Sequence, residues 1–338
     1  MDQRLALLRQ WVAGTLDLPV ADIAPASADA SFRRYFRLRL ADGTSRIVMD
    51  APPPQEDCRP FIRIAGWLGG LGLHVPRVLA ADEARGFVLL SDLGTRTYLE
   101  ALDGDSAETL YGDALDALLV LQRDFADPGG RLPPYDEDLL RGELALFTDW
   151  LLARHLGLEP PAPVRRMMEA AFDTLVANAL DQPQVAVHRD YHSRNLMVSA
   201  PNPGILDFQD AVCGPLTYDL VSLLRDCYIR WPAERVAAWR DDYHRRAREA
   251  GLTTADRETF RRWFDLMGVQ RHLKAAGIFA RLWHRDGKPG YLADVPRTLG
   301  YVVDVAREHP VLRDFGRFVE AAVLPALDTV PAPRERPA

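Results

Sequence analysis

The chain has 338 residues, of which 48% are hydrophobic and 26% charged, with a net charge of −7 at pH 7. That length allows two cores, and the acidic balance argues against nucleic acid as the main partner, because phosphate backbones call for basic surfaces. Cys58, Cys213 and Cys227 are scattered without metal-ligand spacing, so no zinc site or disulfide framework follows from them.

Residues 1 to 15 read as a helix with Leu5, Leu8, Trp11 and Val12 on one face. Its polar start is unlike a signal peptide, and no later apolar run reaches membrane-spanning length. A cytoplasmic enzyme with no membrane association and no obligatory protein partner is the expectation. A strand is expected over 31 to 40, turning at Asp42-Gly43 into Arg46 to Asp50, where Pro52 to Pro54 break it. Cys58 to Leu71 should form a helix packing Phe61, Ile62, Ile64, Ala65 and Leu68. Val75 to Ala81 leads into a strand from Gly86 to Leu90, followed by Ser91-Asp92-Leu93-Gly94. Helical spacing then dominates, with helices over 106–124, 136–156, 162–180, 216–230, 232–250, 255–285 (whole or broken), 291–307 and 312–326. Short strands are expected at 184–187, 195–198 and 205–206, and the proline-bearing tail from Asp328 should fray.

The chemistry lies between Val187 and Asp210, which reads Val-His188-Arg-Asp190-Tyr-His192-Ser-Arg194-Asn195 and then Leu-Met-Val-Ser-Ala-Pro-Asn-Pro-Gly-Ile-Leu-Asp207-Phe-Gln-Asp210. Phosphoryl transfer needs one carboxylate beside the attacking hydroxyl and oxygen ligands for magnesium beyond the phosphates. Asp190 can supply the first, and Asn195 and Asp207 the others. Both acids close short strands, so they are expected to face one cleft. A lone loop aspartate is usually a turn former. The His-x-Asp-x4-Asn spacing, with an apolar-apolar-Asp-Phe segment after it, argues against that reading. His188 reads as a brace for the loop, since Asp190 already holds the base position. His192 and Arg194 either touch substrate or phosphate, or pack the loop.

These residues resemble the aminoglycoside phosphotransferase and choline kinase family, distant relatives of the protein kinases. The resemblance implies an α+β, protein-kinase-like fold of two lobes. A small β-rich N-lobe at 1–92 would bind nucleotide, and a large helical C-lobe at 93–338 would carry the catalytic loop, the metal and the substrate. It implies Asp190 as catalytic base and Asn195 and Asp207 as ligands of Mg2+, with ATP as co-substrate. Asp210 falls where the family often has a second acid, and Asp219, in Gly214-Pro215 to Tyr218-Asp219-Leu220, would support the loop from a helix start, compatibly with a plain cap. Ser91 and Leu93 would hold adenine through their backbone, with Leu90 bordering the base. An ordinary strand and turn is the other reading of those letters.

One departure concerns the phosphates. The family places a lysine near Met49, but the two lysines of this chain, Lys274 and Lys288, lie far downstream. Arginines 33, 34, 37 and 46 are the available cations, and arginine can bind phosphate bidentately. Ser31, Arg33 and Arg34 are favoured, with solvated strand arginines as the alternative. Glu56 or Asp57 would be the helix acid that orients the cation.

The acceptor should be read from the run Gln270-Arg271-His272-Leu-Lys274, with Phe279 and Arg281 on adjoining turns. Arg271 and Lys274 would suit an anion such as a lactyl carboxylate, or else form a salt-bridged helix face. Together with Ala30 to Arg37 and Met49 to Pro54, this run resembles a bacterial subgroup that phosphorylates the anomeric hydroxyl of amino sugars in peptidoglycan recycling. ATP and an amino sugar would then be the partners. An aminoglycoside kinase would need an acid-rich cleft, and a nucleotide-binding pseudokinase would have no reason to keep every metal and base position.

Overall fold

The computed structural model describes residues 2–28, 32–125 and 130–330, so Ser31 and the end of the proline-bearing tail lie outside the described residues. The chain divides into two compact units. One comprises residues 1–117 and 194–210, the other 118–193 and 211–338.

The first unit is built on an antiparallel sheet. Helix α1 (Gln3–Gln10) runs into a π turn at Trp11–Thr15 and lays Leu8, Trp11 and Val12 on Phe36, Leu38, Val48, Phe87 and Leu89. Asp2 caps it by accepting from Leu5 N at 3.1 Å. The strands are β1 (Val20–Ala28), β2 (Arg34–Leu40), β3 (Ser45–Asp50), β4 (Val78–Asp82) and β5 (Phe87–Ser91), in the order β1-β2-β3-β5-β4. The Asp42-Gly43 signal is met. Gly43 has φ +83, and Thr44 N donates to Asp42 Oδ1 at 2.8 Å. At the β4–β5 turn Gly86 has φ +73, and a Cβ there would lie 1.9 Å from Ala51 O, so glycine is required. Between β3 and β4, helix α2 (Arg59–Gly70) buries Phe61, Ile64, Ala65 and Leu68, leaving Ile62 half-buried.

Strand β1 is an addition to the sequence expectation. It carries Pro25 and two register shifts, which an edge strand tolerates and a central one does not. Short α3 (Tyr98–Ala101), closed by a capping box of Thr97 and Glu100, was likewise not anticipated, and α4 (Ala107–Asp124) follows it.

The helical unit contains α5 (Glu137–Leu146), which continues as a π turn over Phe147–His155, and α6 (Ala162–Leu180). Strand β6 (Gln184–Val187) leads into the loop that carries Asp190. Strands β7 (Leu196–Met197) and β8 (Gly204–Ile205) leave it as a hairpin belonging to the first unit, and β9 (Val212–Pro215) returns to pair with β6. Then come α7 (Tyr218–Leu224), α8 (Ala233–Glu249), α9 (Arg257–Asp286), a 3-10 turn at Pro289–Asp294, α10 (Val295–Glu308), α11 (Arg313–Phe318) and α12 (Leu324–Leu327). Two expectations are corrected, and an open one is decided. The helix at 216–230 ends at Leu224, where Arg225 turns to φ −119, ψ 53. The 291–307 helix begins at Val295, after the 3-10 turn. Helix α9 has no break: it is capped by Asp256 and by Gly287 at φ +69, and packing on most of its circumference holds its glycines helical.

Residues 194–210 group with the sheet unit, although the sequence places them in the C-lobe at 93–338. Val198 N donates to Arg96 O at 2.9 Å and Ile205 N to His74 O at 2.8 Å, while the Phe208 and Phe61 rings lie 4.8 Å apart. Asn202 Nδ2 also donates to Asp113 at 2.6 Å. Among the described residues no helix is long and apolar enough to cross a membrane.

Candidate active site

Within the helical unit β6 delivers the start of the loop that carries Asp190. Asp219, fully buried at the first turn of α7, accepts from His188 N at 2.6 Å and Arg189 N at 3.0 Å. Burial pushes its carboxyl up to about 7 against the pull of those two amides. The His188 ring turns inward and its Nδ1 accepts from Asp190 N at 3.3 Å, an arrangement that braces the loop. Arg189 takes φ +76, the left-handed region, which costs a residue with a Cβ roughly 1–2 kcal/mol. At the far end of this segment the Ser193 amide and hydroxyl both donate to Asp226, at 2.9 and 2.6 Å. Asp226, whose other oxygen takes Tyr228 N at 2.9 Å, has no local sequence signature and was not foreseen.

Asp190 is half-buried. Burial pushes its carboxyl up, but the charges of Lys274, His192, Arg271 and Arg189 outweigh that and hold it below the ordinary aspartate value. It is therefore a carboxylate at neutral pH. His192 donates its amide to Asp190 O at 3.1 Å and sets its ring edge-on to Tyr228.

The structure gives protein partners to the residues expected on the acceptor. Gln270 is fully buried and donates to Leu140 O at 3.0 Å, tying α9 to α5. Lys274 donates to Tyr218 Oη at 2.8 Å and pairs with Glu143 at 3.0 Å, and Glu143 also takes Arg189 at 2.5 Å. Arg271 is buried with Nη1 3.5 Å from Cys227 Sγ. Glu143 escaped the sequence reading because its cations lie 46 and more residues away. No spacing rule joins them.

Within the sheet unit the β7–β8 hairpin brings Asn195 and Asp207 together. Leu206 N donates to Asn195 O at 2.9 Å, and Asn195 Nδ2 stands 3.4 Å from Asp207 Oδ2. Gln209 Nε2 donates to the other Asp207 oxygen at 2.7 Å, and Asp207 has φ +65. Among the described residues no three His, Cys, Asp or Glu side chains gather into a metal cage. One carboxylate and one amide oxygen suit a hard cation that completes its shell with water and phosphate. Asp210 and Arg194 are exposed.

The strand arginines are mostly bound to acids. Arg34 donates to Asp50 at 3.1 and 2.5 Å and also bonds Asp2, while Arg4 holds the other Asp50 oxygen at 2.9 and 2.5 Å. Arg37 is bidentate to Asp92 at 2.6 and 3.1 Å. Arg33 lies 3.5 Å from Glu56, whose other oxygen takes Phe32 N at 3.1 Å. Glu56 precedes α2 and is not on it, whereas Asp57 pairs with Arg59. Met49 is buried in β3. Leu90 is buried opposite Ile47 and Val78, Ser91 pairs with Arg46 and donates its amide to Arg77 O at 3.0 Å, and Leu93 is buried.

Residues 22–263 match the phosphotransferase enzyme family. A Pseudomonas aeruginosa protein named N-acetylmuramate/N-acetylglucosamine kinase is 53% identical over 329 residues, covering 94% of this chain and 96% of that one. Its namesake from Pseudomonas putida is 48% identical with the same coverage, and one from Caulobacter vibrioides is 33% identical over 86% of this chain and 90% of its own. Among solved structures, the choline kinase LicA from Streptococcus pneumoniae superposes with a TM-score of 0.61 at 14% identity, covering 89% of this chain and 98% of that one. The gentamicin complex of APH(2")-IIa gives 0.60 at 14%, covering 87% and 95%. At these identities the solved structures carry the fold class alone, which is α+β and protein-kinase-like.

Proposed function

The chain belongs to the phosphotransferase enzyme family, and from that premise we propose that it is an ATP-dependent amino-sugar kinase acting on the anomeric hydroxyl of N-acetylmuramate and N-acetylglucosamine. The products are the α-1-phosphates, and the setting is peptidoglycan recycling in the cytoplasm. The observation that carries the reaction type is Asp190, a carboxylate kept ionised among cations in a loop held by Asp219 and Asp226. The acceptor is supported by near full-length identity to relatives named for these two sugars. The surplus of cations around Asp190 suits a neutral or anionic acceptor and disfavours a polycationic aminoglycoside.

Asp190 takes the proton of the attacking hydroxyl as the new O–P bond forms and the bond from the γ-phosphorus to the bridging oxygen of ATP breaks, releasing ADP. Asn195 and Asp207 would hold magnesium, which would supply charge neutralisation on the phosphates. Arg33, oriented by Glu56, meets the phosphate charge in place of the family's lysine. The Ser91 carbonyl and Leu93 amide hold adenine beside Leu90. His192, Arg194 and Arg271 border the acceptor.

The decisive experiment offers ATP with each reducing sugar and with its methyl glycoside. The free sugar should yield an acid-labile phosphate and the methyl glycoside none, because the anomeric hydroxyl must come within about 2.6–3.2 Å of Asp190. Phosphate on the 6-position, or transfer to the methyl glycoside, overturns the anomeric assignment.

A further inference from the structure

Beside the catalytic loop, the helical unit buries a charge cluster with no chemical step of its own. Glu143 on α5 is 4% exposed and accepts from Arg189 Nη2 at 2.5 Å, from Lys274 Nζ at 3.0 Å and from the Tyr135 hydroxyl. Lys274 on α9 also donates to Tyr218 Oη at 2.8 Å, and the Tyr218 ring meets that of Tyr135 edge-on at 5.4 Å. Tyr218 precedes Asp219, which holds the amides of His188 and Arg189. The contacts therefore form a closed circuit from α5 through the loop and α7 to α9.

Arg189 is the residue this circuit grips twice, by its amide and by its guanidinium, and it is in the left-handed region immediately before Asp190. A residue with a Cβ stays there only where its surroundings over-determine it. One carboxylate facing two cations also leaves a positive charge over, which a neighbouring carboxylate can balance.

We propose that Glu143, Lys274 and Arg189 are positioning residues for phosphoryl transfer: Glu143 clamps Arg189 and so fixes the left-handed bend that aims Asp190, and Lys274 serves this clamp rather than the acceptor. This rests on Asp190 being the base. Lys274 is the cation that acts most strongly on Asp190, ahead of His192, Arg271 and Arg189, while Asp219 and Tyr218 face the same loop.

Arg189→Gly is the leading test, because glycine accepts the bend freely and the change leaves Lys274 and Glu143 as a balanced pair. With folding checked by thermal melting, kcat should fall roughly 10- to 100-fold with the KM for ATP unchanged, since small misplacements of a reacting group cost that much. Amide exchange at His188 and Asp190 should quicken, and Arg189→Lys should recover part of the rate. Lys274→Met should lower kcat by the same factor for N-acetylmuramate and N-acetylglucosamine. It should also move the acidic limb of the rate profile to higher pH, because losing a nearby cation lets the Asp190 carboxyl titrate higher. Wild-type kcat in Arg189→Gly overturns the clamp. A loss in Lys274→Met confined to N-acetylmuramate and carried by KM returns Lys274 to the acceptor and also overturns it. If the wild-type enzyme prefers another acceptor, the variants are read on that acceptor, so failure of the sugar assignment is distinguishable from failure of the clamp.

Discussion

At the scale of single residues, the proposed base and the candidate metal ligands were legible because they fall within one short segment whose spacing is itself the signal. Asp190→Asn keeps the shape and removes the proton acceptor. Turnover should fall about 10²- to 10⁴-fold, measured as kcat, while ATP affinity measured by calorimetry stays near wild type. The strand arginines were legible as cations but not as partners of particular acids. Arg34, gripped by Asp50 and Asp2, serves to join α1 to the sheet, and Arg33 beside Glu56 is the stronger phosphate candidate. Arg33→Ala should raise the KM for ATP and lower kcat with little change in melting temperature. Arg34→Ala should leave both constants near wild type and cost about 1–3 kcal/mol of stability, since it strips a partner from a fully buried carboxylate. Kinetics and melting curves of the two variants side by side separate the roles.

At the scale of elements, period and caps located α4, α5, α6, α8 and α9, because a helix records its buried face in local sequence. Strand β1 was not legible: Pro25 and its register shifts erase alternation, and its neighbour β2 supplies the order. The close approach of α9 to α5 is another property that no local pattern states. A Cβ on Gly277 would lie 2.3 Å from Leu146 C and 2.4 Å from its oxygen, both backbone atoms. Gly277→Ala should therefore destabilise by about 1–3 kcal/mol despite the better helix propensity of alanine. Gly66, on exposed α2 surface with nothing within 4 Å, is the control, and Gly66→Ala should stabilise by roughly 0.5–1 kcal/mol. Urea denaturation of both variants tests the contrast. Equal signs would refute it.

At the scale of the whole molecule, stability toward acid follows from buried carboxylates. Asp265 on α9 is 2% exposed, takes Arg225 at 2.6 Å and His309 at 3.0 Å, and these partners outweigh burial to hold its carboxyl at about 2. Its folded value lies below the unfolded one, so the stabilisation is full above about pH 4 and is lost as pH falls toward 2. Asp265→Asn should cost on the order of 2 kcal/mol at pH 7, with the gap closing toward pH 2 in denaturation curves. Asp219 works in the opposite sense. Held at about 7, it keeps a proton that the unfolded chain releases near pH 4, so its contribution declines between those values as pH rises.

The sequence by itself determined the phosphoryl-transfer motif, the Asp-Gly hairpin and most helices, because each is written in residues close together along the chain. Only the tertiary structure decided which unit residues 194–210 join, through Arg96, His74 and Phe61. It also decided that Glu143 and Asp226 grip the loop from 46 and 33 positions away. Those choices depend on which surfaces pack and which buried charges then require a partner, and both are settled only after distant segments meet.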